Sequence, residues 1–207
     1  MKRAVLLSCL ALSAGCSARE PIVGGGEGCE AVFDGLPASL SSTAQLARPD
    51  ETGERMLLEG VVRDAQGVPV AGVIVYAYHT DHRGEYPPDT RFPRGSWARQ
   101  HGLLRGWVRT GADGRYAFDT IRPAGYPDAG TPQHVHLHIL EPGRCTYWID
   151  DVVFDDDPRL NERHRRTLIT GRGGNGLSRP GREADGRWRV TRDIVLGAGV
   201  PGYPRRS

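Results

Sequence analysis

Apolar residues in this chain come in short runs of period two bounded by glycine and proline, and no stretch holds a helical period over several turns. Residues 56–64, MLLEGVVRD, read as a strand, AQGVPVAG supplies turn chemistry, and residues 73–81, VIVYAYHTD, form a second strand rich in β-branched and aromatic side chains. Beyond a long loop carrying Pro87, Pro88 and Pro93, LLRGWVRT is a third strand, and Asp113 with Gly114 marks a hairpin turn into RYAFDTI. HVHLHIL, YWIDDVVF and RWRVTRDIVL complete the series. Short strands separated by turns predict an all-β chain, an antiparallel β-sandwich with long loops and little helix. The one helical piece, DDDPRLNERHRRTL over 155–168, is too polar to line a core, and residues 170–186 form a polar glycine-rich loop. The expected organisation is a signal peptide over 1–15, a tether and N-terminal arm over 16–55, one sandwich domain over 56–198 and a tail over 199–207.

Composition sharpens this picture at three points. The 28 glycines and 15 prolines favour turns over long helices. A net charge of +2, with arginines scattered rather than gathered on one face, leaves no footprint for nucleic acid. The start of the chain has Lys2 and Arg3, an apolar run and then Ser13, Ala14, Gly15 and Cys16, which resembles a bacterial lipoprotein cleavage box. Cys16 would then carry the lipid, and Ser17 after it points to the outer membrane; the other reading is an ordinary cleaved signal. Cys29 and Cys145 are left as one disulfide in an oxidising compartment, or as two free buried thiols.

The candidate chemistry lies in residues 121–139, IRPAGYPDAGTPQHVHLHI. Side chains at i and i+2 of a strand stand about 7 Å apart on one face, so two of His134, His136 and His138 can converge on one metal ion while Val135, Leu137 and Ile139 face a core. Three histidines on one zinc is a competing arrangement, but successive i+2 positions span about 14 Å, too far for one ion without severe bending. Tyr126 sits on a Pro/Gly turn nearby, and Tyr86 occupies a comparable setting in HTDHRGEYPP. Two phenolates and two neutral imidazoles suit Fe(III), a hard ion, and leave room for an external ligand.

In order and spacing, Tyr86, Tyr126 and the His134, His136 pair resemble the iron site of the intradiol ring-cleavage dioxygenases, the catechol and protocatechuate dioxygenase family. The similarity runs over about residues 57–154 and includes GVV-x-D-x-x-G-x-P-V-x-G-V-x-V, G-x-DGRY-x-F-x-T-I-x-P, PAGYP and P-x-HVH. It implies one Fe(3+) per chain held by Tyr86, Tyr126, His134 and His136, with Tyr126 displaced when a catechol chelates and acting as the base. It also implies a small aromatic diol and O2 as substrates and a muconate-type diacid as product. The chain departs from the family at Thr131, Pro132 and Gln133, where an arginine commonly stands, which leaves Arg122, Arg91 and Gln133 as candidates for substrate contact. It also lacks the large N-terminal helical region of many members. The GVV…GVPVAG portion is shared with transthyretin (prealbumin)-like Greek-key modules, so a non-catalytic binding or structural sandwich is the alternative. His138 is expected as a partly exposed strand residue, His79 and His82 as holders of a turn around Asp81, and Trp97, Trp107 and Trp148 as packing or an aromatic wall.

Overall fold

The computed structural model describes residues 19–26, 28–127 and 130–204. Cys16 and the leader fall outside the described residues. A 3-10 turn, Cys29–Val32, precedes β1 (Thr43–Gln45), β2 (Arg55–Arg63) and β3 (Ile74–Tyr78); α1 (Trp97–Gln100), β4 (Arg105–Arg109) and β5 (Arg115–Ile121) follow. Then come β6 (His134–Glu141), β7 (Cys145–Phe154), α2 (Glu162–Leu168), β8 (Leu177–Ser178), β9 (Gly181–Arg182), β10 (Trp188–Thr191) and β11 (Ile194–Val195).

The strands make two stacked sheets, ordered β1-β5-β2-β10-β9, with β11 also on β2, and β4-β3-β6-β7-β8. Between them Met56, Leu58, Phe118 and Val190 meet Val75, Leu137, Ile139 and Ile149. Each such side chain contributes roughly 1.5–3 kcal/mol when fully buried. The expected sandwich is present, but its pairing is mixed. The central ladders β2/β5, β3/β4, β3/β6 and β6/β7 are antiparallel, whereas β1/β5, β10/β2, β11/β2 and β7/β8 are parallel. Short strands supplied by the arm and by the segment after α2 reach the sheet through long connections, and these set the parallel direction.

The arm is more than a tether. Val32 is buried with Ile74, Tyr76 and Leu140, while Phe33, Leu36 and Leu40 pack around them, and Trp107 donates its indole N–H to the Val32 carbonyl at 2.7 Å. Both faces of β3 are therefore covered, which explains its unbroken apolar run. The tail also joins the body, through Val200 and Tyr203. The α2 helix buries no residue, as its polarity predicts.

No Cys29–Cys145 bridge forms, and both thiols are free and buried. Cys145 lies in the core between the sheets, whereas Cys29 lies by the Trp148 backbone and Arg172. Trp148 is three residues further along β7, roughly 10 Å at about 3.3 Å per residue, and on the opposite face. Burial pushes both thiols up to about 11, which keeps them protonated.

Candidate metal centre

On the outer face of the second sheet, β3 and β6 pair in a register that sets Tyr76 opposite His138 and Tyr78 opposite His136. Across the other edge of β6 the register slips: Val135 faces Val152 but Leu137 faces Ile149, so Asp150 and Asp151 together oppose His136. This β-bulge re-aims one carboxylate of the pair. Asp151 Oδ1 lies 2.9 Å from His136 Nδ1, while Asp150 turns to the glycine-rich loop and accepts from the amides of Thr170 and Gly171.

Two loops bring in the tyrosines. In the loop after β3, Asp81 accepts from the amides of Arg83 and Glu85 at 2.8 and 3.1 Å, closing a tight turn ahead of Tyr86. Burial alone would raise the Asp81 carboxyl; the Glu85 and Arg83 amides, with the Arg83 guanidinium, outweigh it and hold the group below the usual range. The same turn grips the Tyr126 loop, since Thr80 Oγ1 donates to the Ala124 carbonyl at 2.7 Å and Ala124 N–H donates to the Asp81 carbonyl at 3.1 Å. His79 is buried, with its ring nitrogens 2.7 Å from the Thr80 carbonyl and from Thr120 Oγ1, so it does hold this turn; His82 is exposed.

Glycine is required where the loops touch. A Cβ on Gly84 would lie 2.2 Å from the Gly125 carbonyl oxygen, and one on Gly125 would lie 2.2 Å from that of Thr131. Because backbone rather than a flexible side chain stands in the way, Gly125→Ala should cost about 1–3 kcal/mol. It should also weaken metal uptake by shifting Tyr126, as urea unfolding beside a metal titration would show.

The four donor atoms converge. Tyr86 Oη is 2.7 Å from Tyr126 Oη and 2.9 Å from His136 Nε2. Tyr126 Oη is 3.2 Å from His134 Nε2 and 3.3 Å from His136 Nε2, and the two Nε2 atoms are 3.1 Å apart. Donors at roughly right angles on one ion with bonds of about 2.1 Å would stand about 3 Å apart.

Proton placement strengthens the fit. His134 Nδ1 lies 2.7 Å from the Pro132 carbonyl, which can only accept, so the ring carries its proton there and Nε2 presents a lone pair. His136 Nδ1 donates to Asp151 in the same way, leaving its Nε2 as a second lone pair. Burial alone would raise the Asp151 carboxyl, but the neighbouring His136 ring outweighs it and holds the group ionised. In the metal-free site these lone pairs, 3.1 Å apart, have the Tyr126 and Tyr86 hydroxyls at 3.2 and 2.9 Å as donors; a cation, or an added proton, would take the place of the hydroxyl protons. Burial, and then the His136 ring, lower the His134 pKa and disfavour the proton. Burial raises the phenols of Tyr86 and Tyr126, so they become phenolates here only against a strongly charged ion. Among the described histidine, cysteine and carboxylate side chains, His134, His136 and Asp151 also present donor atoms within 4.8 Å of one another, but the bond to His136 Nδ1 already uses Asp151 as an orienting group.

The expected substrate contacts lie elsewhere. Arg122 makes a two-pronged pair with Asp156 at 2.9 and 2.6 Å, donates to Gln133 Oε1 at 2.8 Å and lies against the Phe154 and Trp188 rings. Arg91 is exposed and pairs with Asp89 at 2.7 Å. Neither these arginines nor Gln133 makes a hydrogen bond to the four donors among the described residues. His138 is buried rather than partly exposed: Tyr76 and Tyr78 meet it edge-on at 5.7 Å, its Nδ1 has no partner, and burial pushes its pKa down to about 3. Two residues were missed in sequence. Asp151 has a signal there, because Asp150 and Asp151 interrupt the alternation of YWIDDVVF. Arg159, whose guanidinium donates to the Tyr126 carbonyl at 3.2 Å, has none. Trp107 packs under the arm, Trp97 lies near His101, and Trp148 lies 3.6 Å beneath the Arg172 guanidinium.

Residues 33–166 match the family model described as Dioxygenase. The chain is 32% identical over 147 residues to chlorocatechol 1,2-dioxygenase of Rhodococcus opacus, across 63% of this chain and 53% of that protein. It is 40% identical over 95 residues to catechol 1,2-dioxygenase 1 of Acinetobacter lwoffii, across 44% of this chain and 29% of that protein. The chain thus spans only part of the length of these relatives. Among solved structures, the dioxygenase domain of a dioxygenase carbohydrate-binding protein fusion from Streptomyces sp. SirexAA-E has a TM-score of 0.57 at 23% identity, covering 86% of this chain and 98% of that one. Catechol 1,2-dioxygenase from Acinetobacter sp. ADP1 has a TM-score of 0.59 at 19% identity, covering 83% and 63%. These two likenesses speak for the fold, and the match over 33–166 together with the sequence relatives speaks for more: the chain belongs to the intradiol ring-cleavage dioxygenase family.

Proposed function

We propose that this chain is an Fe(III)-dependent intradiol dioxygenase that opens a catechol-type ring between its two hydroxyl-bearing carbons. Both atoms of O2 enter the product, a muconate-type diacid, so diol plus O2 balances without a further reductant. The observation that carries the reading is the donor set itself: two phenol oxygens and two imidazole lone pairs with neighbouring separations of 2.7–3.3 Å. Iron(III), when bound, supplies Lewis acidity that favours the doubly deprotonated diol and makes its ring reactive towards O2. His134 and His136 keep their Nε2 lone pairs inward because Pro132 and Asp151 hold the protons on Nδ1. Tyr86 is the fixed phenol, held between Tyr78 and Tyr126. Tyr126 is the base, taking a proton from a substrate hydroxyl at Oη, and it lies on the more exposed side of the donor set, next to exposed Pro127. An open cleft of about 330 Å³ adjoins His136 on its Asp151 side, with Trp148 and Leu168 as apolar lining; Tyr86, Tyr126 and His134 do not line it. Export, with a lipid on Cys16 and an outer-membrane address, belongs to the same proposal and rests on the leader sequence alone.

Oxygen uptake by iron-loaded protein with catechol, hydroxyquinol and protocatechuate, followed by mass analysis of the products, tests the reading. Ring-opened diacids carrying both oxygens of labelled O2 are expected. Iron binding without uptake on any of these diols would instead favour a transthyretin-like module that keeps the metal without turnover.

A further inference from the structure

Three rings stack behind the metal centre. The His136 imidazole lies against Tyr78, with centroids 4.5 Å apart and planes at 18°, and the other face of Tyr78 lies on His101 at 3.6 Å and 3°. His101 is itself pinned, since its Nδ1 is 2.9 Å from Tyr76 Oη, to which Arg105 also donates at 3.4 Å. Arg105 is buried and paired with buried Asp89 at 3.8 Å. The Asp151 bond fixes the tautomer and one edge of the His136 ring, and the ring faces are left to their stacking neighbours. We infer that Tyr78, clamped by His101, is the positioning residue that sets the tilt of His136 and so aims Nε2 at the metal. The role belongs to the ring rather than the hydroxyl, because Tyr78 Oη has no hydrogen bond among the described residues while the ring has a parallel neighbour on each face.

The inference rests on His136 being a ligand, and two readouts keep it separable from that reading. In metal-free protein, the Nδ1–H of His136 should give a sharp side-chain NMR signal in the native protein and in Tyr78→Phe, and a broadened or lost one in Tyr78→Leu. In a ferric titration against a competing chelator, Tyr78→Leu should lose about tenfold to a hundredfold in affinity, the range found when an outer partner of a ligand is removed. Tyr78→Phe should stay within about threefold of the native protein, and circular dichroism should report a folded chain for both. An unchanged His136 signal in folded Tyr78→Leu overturns the inference, as does a Tyr78→Phe variant that behaves like Tyr78→Leu. A native protein that takes no iron while the His136 signal still depends on Tyr78 would sink the metal reading and leave the positioning role standing.

Discussion

Replacing Tyr86 by phenylalanine should lower ferric affinity by more than about 100-fold, the upper end for loss of a mere outer partner, while the melting temperature of the metal-free protein moves by only a few degrees. Among the described residues Tyr86 Oη has Tyr126 Oη and His136 Nε2 as its hydrogen-bond partners, both members of the donor set, so removing it orphans no structural group. The ring stays and keeps its contacts with Tyr78 and Tyr126. A change of about 1 kcal/mol shifts melting by roughly 2–4 °C in a domain of this size, which bounds the structural effect. The loss to the ion is larger, since one anionic oxygen disappears from a site where two phenolates offset a triply charged centre. Iron content after dialysis, set beside a thermal melt, separates the two effects. Normal iron with a large drop in melting temperature would remove Tyr86 from the ligand set.

Acid should unfold the metal-free protein well above the carboxylate range. His79 is buried with both nitrogens hydrogen-bonded, and burial pushes its pKa down to about 4. His101 is buried against Tyr78, and burial, then the His138 and His136 rings, push it down to about 2. Above about pH 6.5 both rings are neutral whether the chain is folded or not, and they leave stability unchanged. Below it the unfolded chain takes up protons that the folded chain refuses, at about 1.4 kcal/mol per ring per pH unit. From pH 6.5 to 4.5 the two rings together remove about 5 kcal/mol, a large part of a typical total of about 5–15 kcal/mol. The His79 contribution levels off near pH 4. Asp81 and Asp89, whose carboxyls lie below the usual range, add their own loss only at still lower pH. Urea midpoints across this range should fall steeply, and His79→Gln should flatten the slope. A flat profile from pH 6.5 to 4.5 would show that these imidazoles are protonated in the folded protein.

Much of the fold was legible from local pattern. Period-two runs and the Asp113, Gly114 turn located β2 to β7 to within a few residues, because these strands bury one face or two in the core and their side chains record it. The His134, Val135, His136, Leu137 alternation likewise separated a chemical face from a packing face. What escaped detection depends on non-local geometry. The arm from Cys29 to Leu46 has no period, because it packs through single residues such as Val32 and Leu46. The short parallel strands are two to four residues long and are defined by their partners rather than their composition. His138 looked half-exposed because nothing local shows that Tyr76, Tyr78 and His101 cover it. The role of Asp151 needed the bulge, and the employment of Arg122 needed Asp156, thirty-four residues away.

The central claim is a ferric ion held by two tyrosines and two histidines. Its most direct test is the visible absorption spectrum of the iron-loaded chain, with metal analysis, before and after catechol is added without oxygen. A red-brown phenolate-to-iron band at one iron per chain, shifting on addition of catechol, is the predicted result; a colourless protein that takes up zinc but not iron would contradict it.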